Sequence, residues 1–356
     1  MGQTPGRRAL ALAWISFFSA LALVAIGTAL LGDPHAADPF VRLAIVRAPG
    51  HGVPSRSTAT IPQVPPLGNE PTIPPAIVPP KITAPVYAGR NLIADPALVE
   101  ETASGPLPRV ASDGRAPMIA YAGPIDVPSG HPRIAIVISG LGISARQTAD
   151  ALEALPAEIT LAFAPYASDV QRWVGEARKG GHEVLVQVPM EAIEMPGSDP
   201  GPHTLRVDQD QEYNTQRLEW ALSRFTGYTG VTNMQGSRFL SDDESLAPML
   251  IYVAKHGLLF FDDGESRHSM SAEVAGRVGV PFAQSAAMID SIPSAVEIDN
   301  KLAQLESTAR ANGSAAGSAY VSPVTVQRVA LWAGGLKARG FALVPASAIV
   351  SKPETR

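Results

Sequence analysis

Residues 133–142 read RIAIVISGLG. After Arg133 the run is apolar and rich in β-branched side chains as far as Ile138, and it then breaks into Ser139-Gly140-Leu141-Gly142. A strand buried on both faces reads this way, and strands of that kind belong to parallel sheets covered by helices. The carboxyl end of such a strand is where α/β folds place their ligands. Ser-Gly stands at that end here, with no carboxylate among the four residues.

Outward from this strand the same rhythm repeats. Strand-like runs follow at 159–163 (ITLAF), 183–188 (EVLVQV), 229–233 (TGVTN), 258–262 (LLFFD), 280–283 (VPFA), 318–321 (SAYV) and 341–344 (FALV). Helical patterns separate most of them. Val170, Trp173, Val174 and Ala177 fall at helical spacing, with Ser168 and Gln171 as an expected capping box and Gly180-Gly181 as the stop. Ser241 with Glu244, and Ser294 with Glu297, predict two further helix starts, the second helix running towards Gly313. Strands alternating with helices predict a parallel sheet with helices outside. Seven or eight such units in about 220 residues fit a closed barrel better than an open sheet.

The preceding residues are of another kind. Residues 9–31 carry no charge, Arg7 and Arg8 stand just before them and Asp33 just after. A run of that length crosses a bilayer core, and the flanking charges predict a cytoplasmic N-terminus with the rest exported. The expectation is an uncleaved signal anchor in the inner membrane with the globular part on the periplasmic side; a cleaved signal peptide, with Gly27-Thr28-Ala29 as the small residues, is the competing reading. Residues 32–90 are proline-rich, as in IPQVPPLGNEPTIPPAIVPPKITAP (61–85), and read as a disordered, extended tether. Residues 91–130 contain ALVEETASGPLPRV and PMIAYAGPIDV, more apolar than a linker needs, and are expected to pack on the domain at 131–350 as an ordered lead-in. The net charge of −5 offers no basic footprint for nucleic acid. Without cysteine the chain has no disulfides, thiol nucleophile or thiolate metal site.

The expected strand ends collect Ser139, Pro165, Gln187 to Glu191, Asn233 to Ser237, Asp262-Asp263, Asp290-Ser291 and Ser322-Pro323, a polar and partly acidic set suited to hydroxyl-rich ligands. Within it VPME (188–191), NMQGS (233–237), FFDD (260–263), MIDS (288–291) and YVSP (320–323) occur in an order and spacing that resemble the divergent polysaccharide deacetylase family. The resemblance covers roughly residues 91–350. It implies a distorted (β/α)7-type barrel, carbohydrate chemistry in the cell envelope and, for active members, a divalent metal such as zinc. The departures are specific. The family's Ile-Asp-Asp-Leu-Gly is Ile138-Ser139-Gly140-Leu141-Gly142, its His before Pro-Met-Glu is Gln187, its Asn-His-Met-Gly-Ser carries Met234 at the His position, and its Gly-His-Pro is Val321-Ser322-Pro323. Asp262 and Asp290 match retained aspartates.

A hydrolytic zinc site needs about three N or O ligands and an open position for water. Gln, Met and Ser at the substituted positions do not supply them, so no metal ligand and no cofactor are expected. The substrate-binding candidates are Ser139, Gln187, Glu191, Asn233, Ser237, Asp262, Asp290 and Ser322. Asp262 and Asp290 are also candidates for a carboxylate pair working as acid and base, against the blander role of capping neighbouring loops. Phe261-Asp262-Asp263-Gly264 imitates a metal-binding motif on the wrong strand; a turn at Asp263-Gly264 with a solvated His268 explains it better than a cation held by Asp262, Asp263 and His268. Trp173, Trp220 and Trp332 lie in helical patterns and are expected to pack rather than to stack on sugars, and His182 and His256 read as structural. The functional expectation is a degenerate, membrane-anchored member that binds an envelope glycan such as an N-acetylated polysaccharide. The alternatives are an active carbohydrate deacetylase or hydrolase with a rebuilt site, and an envelope protein-interaction scaffold.

Overall fold

A computed structural model describes residues 94–195 and 197–351. The expected anchor at 9–31, the cytoplasmic residues 1–8 and the proline-rich linker at 32–90 lie outside the described residues. Among the described residues no helix is long and apolar enough to cross a membrane.

The lead-in forms an antiparallel hairpin, β1 (Val99–Thr102) with β2 (Gly105–Pro108), and one turn of helix, α1 (Pro117–Ala120). Strands and helices then alternate: β3 (Arg133–Leu141), α2 (Ala145–Ala154), β4 (Thr160–Phe163), α3 (Val170–Lys179), β5 (Val184–Met190), α4 (Gln211–Leu222), β6 (Gly230–Gln235), α5 (Asp243–Lys255), β7 (Leu259–Asp262), α6 (Ser271–Val278) and β8 (Phe282–Gln284). The short β9 (Ala287–Met288), α7 (Ala295–Asn312), β10 (Ser314–Tyr320), α8 (Pro323–Leu336) and β11 (Ala342–Leu343) complete it. The sheet order is β8-β7-β6-β5-β4-β3-β10-β9, all parallel, with β11 added at the start of β3.

The two edge strands of that order, β8 and β9, are neighbours in the chain. Only Ser285 and Ala286 join them; Ser285 N–H donates to the Asp262 carbonyl after β7 (2.9 Å) and Ala286 N–H to the Ala316 carbonyl of β10 (2.8 Å). One short crossing thus ties the two ends of the sheet together and curls it. The expected barrel is present as a curled parallel half-barrel: β8 and β9 do not pair with one another, so the ladder does not run around the ring. The inner face is apolar in its lower part, where Val137, Ala162, Leu185, Leu259, Phe261, Ala283 and Ala316 pack with Ala346, Met118 and Ile349. The alternate residues, Ile136, Ile138, Phe163, Val186, Val188 and Phe260 among them, face the helices in the main core.

At the amino ends of the strands a buried carboxylate fastens the lead-in and the C-terminal tail. Glu183 is fully buried and accepts from Gly123 N–H (3.2 Å), Ser347 N–H (3.0 Å), the Ser347 hydroxyl and Thr160 Oγ1 (3.3 Å). Burial pushes its carboxyl above the usual carboxylate range while these donors pull it back. Beside it, buried Arg178 donates to the carbonyls of Tyr121 (2.6 Å) and His182 (3.1 Å). These contacts tie Tyr121 and Gly123 of the lead-in to the amino ends of β4 and β5.

Local expectations fare unevenly. Ser294 caps α7 by accepting Glu297 N–H, and the helix ends at Gly313 in the left-handed region, as the sequence predicts. The other two boxes are displaced. Asp169, not Ser168, is the N-cap of α3, and Gln171 Oε1 instead accepts Thr226 N–H (2.9 Å). Asp242, not Ser241, caps α5 by accepting Ser245 N–H (2.9 Å), because its carboxylate sits one residue nearer the first turn. β10 begins at Ser314 rather than 318, since Ser-Ala-Ala-Gly carries no β-branched signal. His182 is buried, with Nδ1 2.9 Å from the Ile159 carbonyl, and His256 closes α5. Replacing Glu183 by alanine leaves the buried N–H of Gly123 and the half-buried N–H of Ser347 without acceptors; we expect a loss of about 2–4 kcal/mol in chemical denaturation and proteolytic release of the tail near Ser347.

Candidate functional site

The end of β3 is shaped by two glycines. Gly140 and Gly142 adopt φ of +84° and +88°, and a Cβ on Gly142 would lie 2.6 Å from the Ala167 Cβ, so only glycine fits there. The turn exposes two N–H groups that side chains capture. Gly142 N–H donates to Thr148 Oγ1 (2.8 Å), and Gly140 N–H donates to Gln187 Oε1 (2.8 Å). Gln187 is 1% exposed, and its amide nitrogen makes no hydrogen bond among the described residues. Ser139 is buried; its carbonyl accepts Val321 N–H, and its hydroxyl likewise has no partner among the described residues.

On β6, Thr232 pairs in register with Gln187 of β5 and Phe261 of β7 and shares their inward face. It is fully buried and its hydroxyl has no hydrogen-bond partner among the described residues. Asn233 is buried beside it; its Nδ2 donates to the Gln235 carbonyl (2.7 Å) and its Oδ1 accepts Asp263 N–H (3.0 Å). Gln235 is thereby held at φ +60°, a left-handed conformation unusual outside glycine.

The two aspartates after β7 diverge. Asp262 is fully buried, with Oδ1 accepting Gly264 N–H (2.9 Å) and Oδ2 accepting from Ser269 Oγ (2.6 Å) and Gln284 Nε2 (3.2 Å). Those bonds fasten the loop that leads to α6. Asp263 continues the inward alternation of Leu259 and Phe261. Its Oδ1 accepts Glu265 N–H (3.0 Å), and the residue is 3% exposed. Burial raises its pKa from 3.8 to about 7, against the lowering effect of the Asn233 amide and the Glu265 N–H. Gly264 makes the expected turn and His268 is exposed.

The remaining predicted residues spread around this centre. Glu191 is buried in a clasp, with Oε1 on Arg238 Nη1 (2.6 Å) and Oε2 on Val207 N–H (2.8 Å). Ser237 Oγ accepts Ile193 N–H (2.9 Å), and Ser322 caps α8 by accepting Thr325 N–H (3.2 Å). Asp290 accepts Tyr320 N–H (2.9 Å) and Thr325 Oγ1 (2.9 Å), and burial raises its pKa. The structure therefore ties Asp262 and Asp290 to separate loops and puts Ser139 and Gln187 on the inward face, while Asn233, in register with helix-facing Val188, lies on the opposite face and braces the loop at Asp263. Sequence reading did not single out Thr232 or Tyr320 and left Asp263 to a turn. The period-two alternation of LFFDD was the signal for Asp263, since it places that residue with Leu259 and Phe261. Tyr320, 37% exposed, pairs in register with Ser139; burial and the charges of Asp263, Glu265 and Asp290 hold its phenol well above the usual range.

Zinc does not suit these donors. The strand-end set is a serine hydroxyl, an amide already committed to Gly140, a threonine and one carboxylate, and among the described residues no three His, Cys, Asp or Glu side chains group at ligand spacing. Trp173 is buried in the core, Trp332 Nε1 donates to Glu306 (2.8 Å), and Trp220 stacks on His203 with centroids 3.6 Å apart. A cavity of about 220 Å³ between α4 and α5, bordered by Asn214, Asp242, Met249 and Tyr252, contains none of the strand-end residues.

The model of the family described as divergent polysaccharide deacetylase matches residues 136–350. YibQ of Escherichia coli (strain K12), an uncharacterized protein, is 22% identical over 222 residues, 62% of this chain and 68% of its own length. The crystal structure of an uncharacterized protein from Agrobacterium tumefaciens C58 is 39% identical and superposes with a TM-score of 0.68, covering 69% of this chain and all of the other. The catalytic domain of a peptidoglycan N-acetylglucosamine deacetylase from Eubacterium rectale ATCC 33656 is 15% identical, with a TM-score of 0.43 over 65% of this chain and 96% of that one.

The raised pKa of Asp263 has a direct consequence for stability. Between its unfolded value near 3.8 and its folded value of about 7, the folded chain binds a proton that the unfolded chain has released. Stability contributed by the neutral carboxyl is complete below the lower value and is lost as pH rises through the upper one. Asp263→Asn removes this dependence. The variant should match the parent near pH 4 and exceed it at pH 8, by at most about 4 kcal/mol, in urea titrations across that range. A constant offset at all pH values would contradict the assignment.

Proposed function

This chain belongs to the divergent polysaccharide deacetylase family, and from that premise we propose that it binds a hexosamine-containing envelope glycan, such as an N-acetylated polysaccharide, in the strand-end cleft, without metal-dependent deacetylation. The observation that carries the reading lies on the inward strand face: a fully buried Thr232 hydroxyl with no partner among the described residues, in register with Gln187, whose amide nitrogen is uncommitted. A buried hydroxyl without a partner costs about 1–3 kcal/mol. That cost is offset when a bound ligand supplies the missing hydrogen bond. Sugars suit the site because they bring many hydroxyls and an apolar ring face, and Tyr320 offers an aromatic surface at the mouth. The uncharged run at 9–31 behind Arg7 and Arg8 supports an anchored protein whose folded part faces the exported side of the membrane.

One observation favours a second reading, a hydrolase with rebuilt chemistry: the Asp263 carboxyl, pushed to about 7, is placed where a general acid or base works at neutral pH. Acetate release from an acetylated oligosaccharide, abolished by Asp263→Asn, would establish that reading instead.

Thr232→Val tests the binding role with little risk to the fold, because it removes the unpartnered hydroxyl and keeps the shape. We expect unchanged or slightly higher stability and roughly tenfold weaker binding of peptidoglycan fragments or chito-oligosaccharides by calorimetry. Equal affinity of parent and variant, or no binding of any hexosamine glycan by the parent, would remove the proposal.

A further inference from the structure

One flank of α4 carries a ladder of rings and guanidinium groups. Tyr213, Arg217, Trp220 and Arg224 are spaced four, three and four residues apart, which puts them on one side of the helix and of the turn that continues it. The Arg217 guanidinium lies over the Tyr213 ring, 3.4 Å from its centroid, and that of Arg224 lies over Trp220 at 5.4 Å. Trp220 is itself stacked on His203 of the preceding loop, with centroids 3.6 Å apart and planes 4° from parallel. Tyr166, after β4, packs on Trp220 at 5.0 Å, and its hydroxyl accepts His203 N–H (3.1 Å). Arg224 Nε donates to the Pro165 carbonyl (3.2 Å). Neither arginine is in an ion pair among the described residues, and Arg217 Nε is shut away from water without a hydrogen-bond partner. The carboxylates on the same helix are engaged elsewhere. Glu219 accepts from Ser104 Oγ (2.8 Å) and the Tyr252 hydroxyl (3.0 Å), towards the hairpin and α5, and Glu212 accepts from Gln216 Nε2 (3.4 Å).

Stacking fixes what these guanidinium groups can offer. A ring covers one face of each, and the N–H edges that remain match a carboxylate in a two-pronged manner. A cation already stripped of part of its water and held in one position loses less freedom on binding an anion than one free in solvent. Both arginines lean back on the ring four residues earlier, so their heads keep the separation of their Cα atoms, about 10 Å for seven residues of helix. That is the length of a disaccharide in an extended polysaccharide. Between the two cations lies Trp220 rather than a third cation, so a polymer charged at every unit would set an unpaired charge over an indole. We propose that this flank of α4 binds an anionic polysaccharide carrying one carboxylate per disaccharide, with successive carboxylates on Arg217 and Arg224. None of its residues belongs to the strand-end set, so this face and the strand-end reading can fail separately.

The test titrates the full chain by calorimetry at low ionic strength with a hyaluronan hexasaccharide, which has one carboxylate per disaccharide, and with the neutral N-acetylglucosamine hexamer. We expect the acidic oligosaccharide to bind about tenfold tighter, with the advantage shrinking as salt is added. Arg217→Gln and Arg224→Gln should each remove most of that advantage and leave binding of the neutral hexamer unchanged. Arg224 is exposed, so its variant keeps the test open should Arg217→Gln fail to fold. Arg217→Lys keeps the charge without the planar fork and should bind the acidic oligosaccharide several-fold more weakly than the parent. Equal affinity for the two oligosaccharides, or an advantage that survives both glutamine variants, would overturn the inference. Polyphosphate or phosphatidylglycerol vesicles binding at least as tightly as hyaluronan through the same arginines would make the face a general anion or membrane contact and overturn it too. Loss of neutral-hexamer binding alone, with the acidic preference intact, would count against the strand-end reading and leave this one standing.

Discussion

The tie between the two ends of the sheet governs the rest of the molecule. Ser285 and Ala286 carry the chain from β8 to β9, and their N–H groups reach β7 and β10, the strands next to the two edges of the sheet. Without that step the inner faces of β3 to β10 would diverge as an open sheet, and the residues after each strand would lie along a line rather than around a hollow. The curl creates an inside, and an inside must be filled. Small residues, Ala162, Ala283 and Ala316, meet larger Leu185, Leu259 and Phe261 there, so the lower hollow is packed and dry. The change from apolar to polar occurs one inward residue later on several strands, from Val137 to Ser139, Leu185 to Gln187 and Phe261 to Asp263. That single step of period-two alternation makes the cleft floor.

Polar atoms at that level are paired with different completeness, and the difference separates scaffold from site. Glu191, Asp262 and Ser322 have their oxygens engaged by backbone N–H or side-chain donors, and those bonds hold loops. The hydroxyl of Thr232 and the amide nitrogen of Gln187 have no such duty among the described residues. Buried groups left in that state lower stability, and their persistence makes sense where something other than the chain completes them.

Much of this architecture was legible from the sequence and some of it was not, for reasons that particular residues make plain. Apolar runs such as RIAIVI and EVLVQV mark buried strands because burial on both faces demands continuous apolar sequence. β10 begins with Ser-Ala-Ala-Gly, whose side chains are small because Gly317 lies against Ile289, Leu305 and Ile136, so close packing erased the β-branched signal there. The hairpin β1–β2, written Val-Glu-Glu-Thr and Gly-Pro-Leu-Pro, has neither alternation nor β-branched density and went unread as strands. At the site, the resemblance in motif points to Asp262, whereas strand geometry turns that side chain towards the helices and its neighbour towards the hollow. Tyr320 escaped notice for a related reason: its role depends on a register with Ser139, far earlier in the chain, that no local pattern encodes.

At the end of β3 the polar contacts are made by neutral groups. Ser139 and Gly140 stand there, and the N–H of Gly140 is taken by the Gln187 side-chain oxygen. An amide oxygen that accepts a backbone N–H ties β3 to β5 at the level where the inward face turns polar, and it does so without the desolvation cost of a buried charge. Asp263 is the carboxylate that follows this level on β7, and burial keeps its proton on until about neutral pH, which lets it persist without a counter-ion.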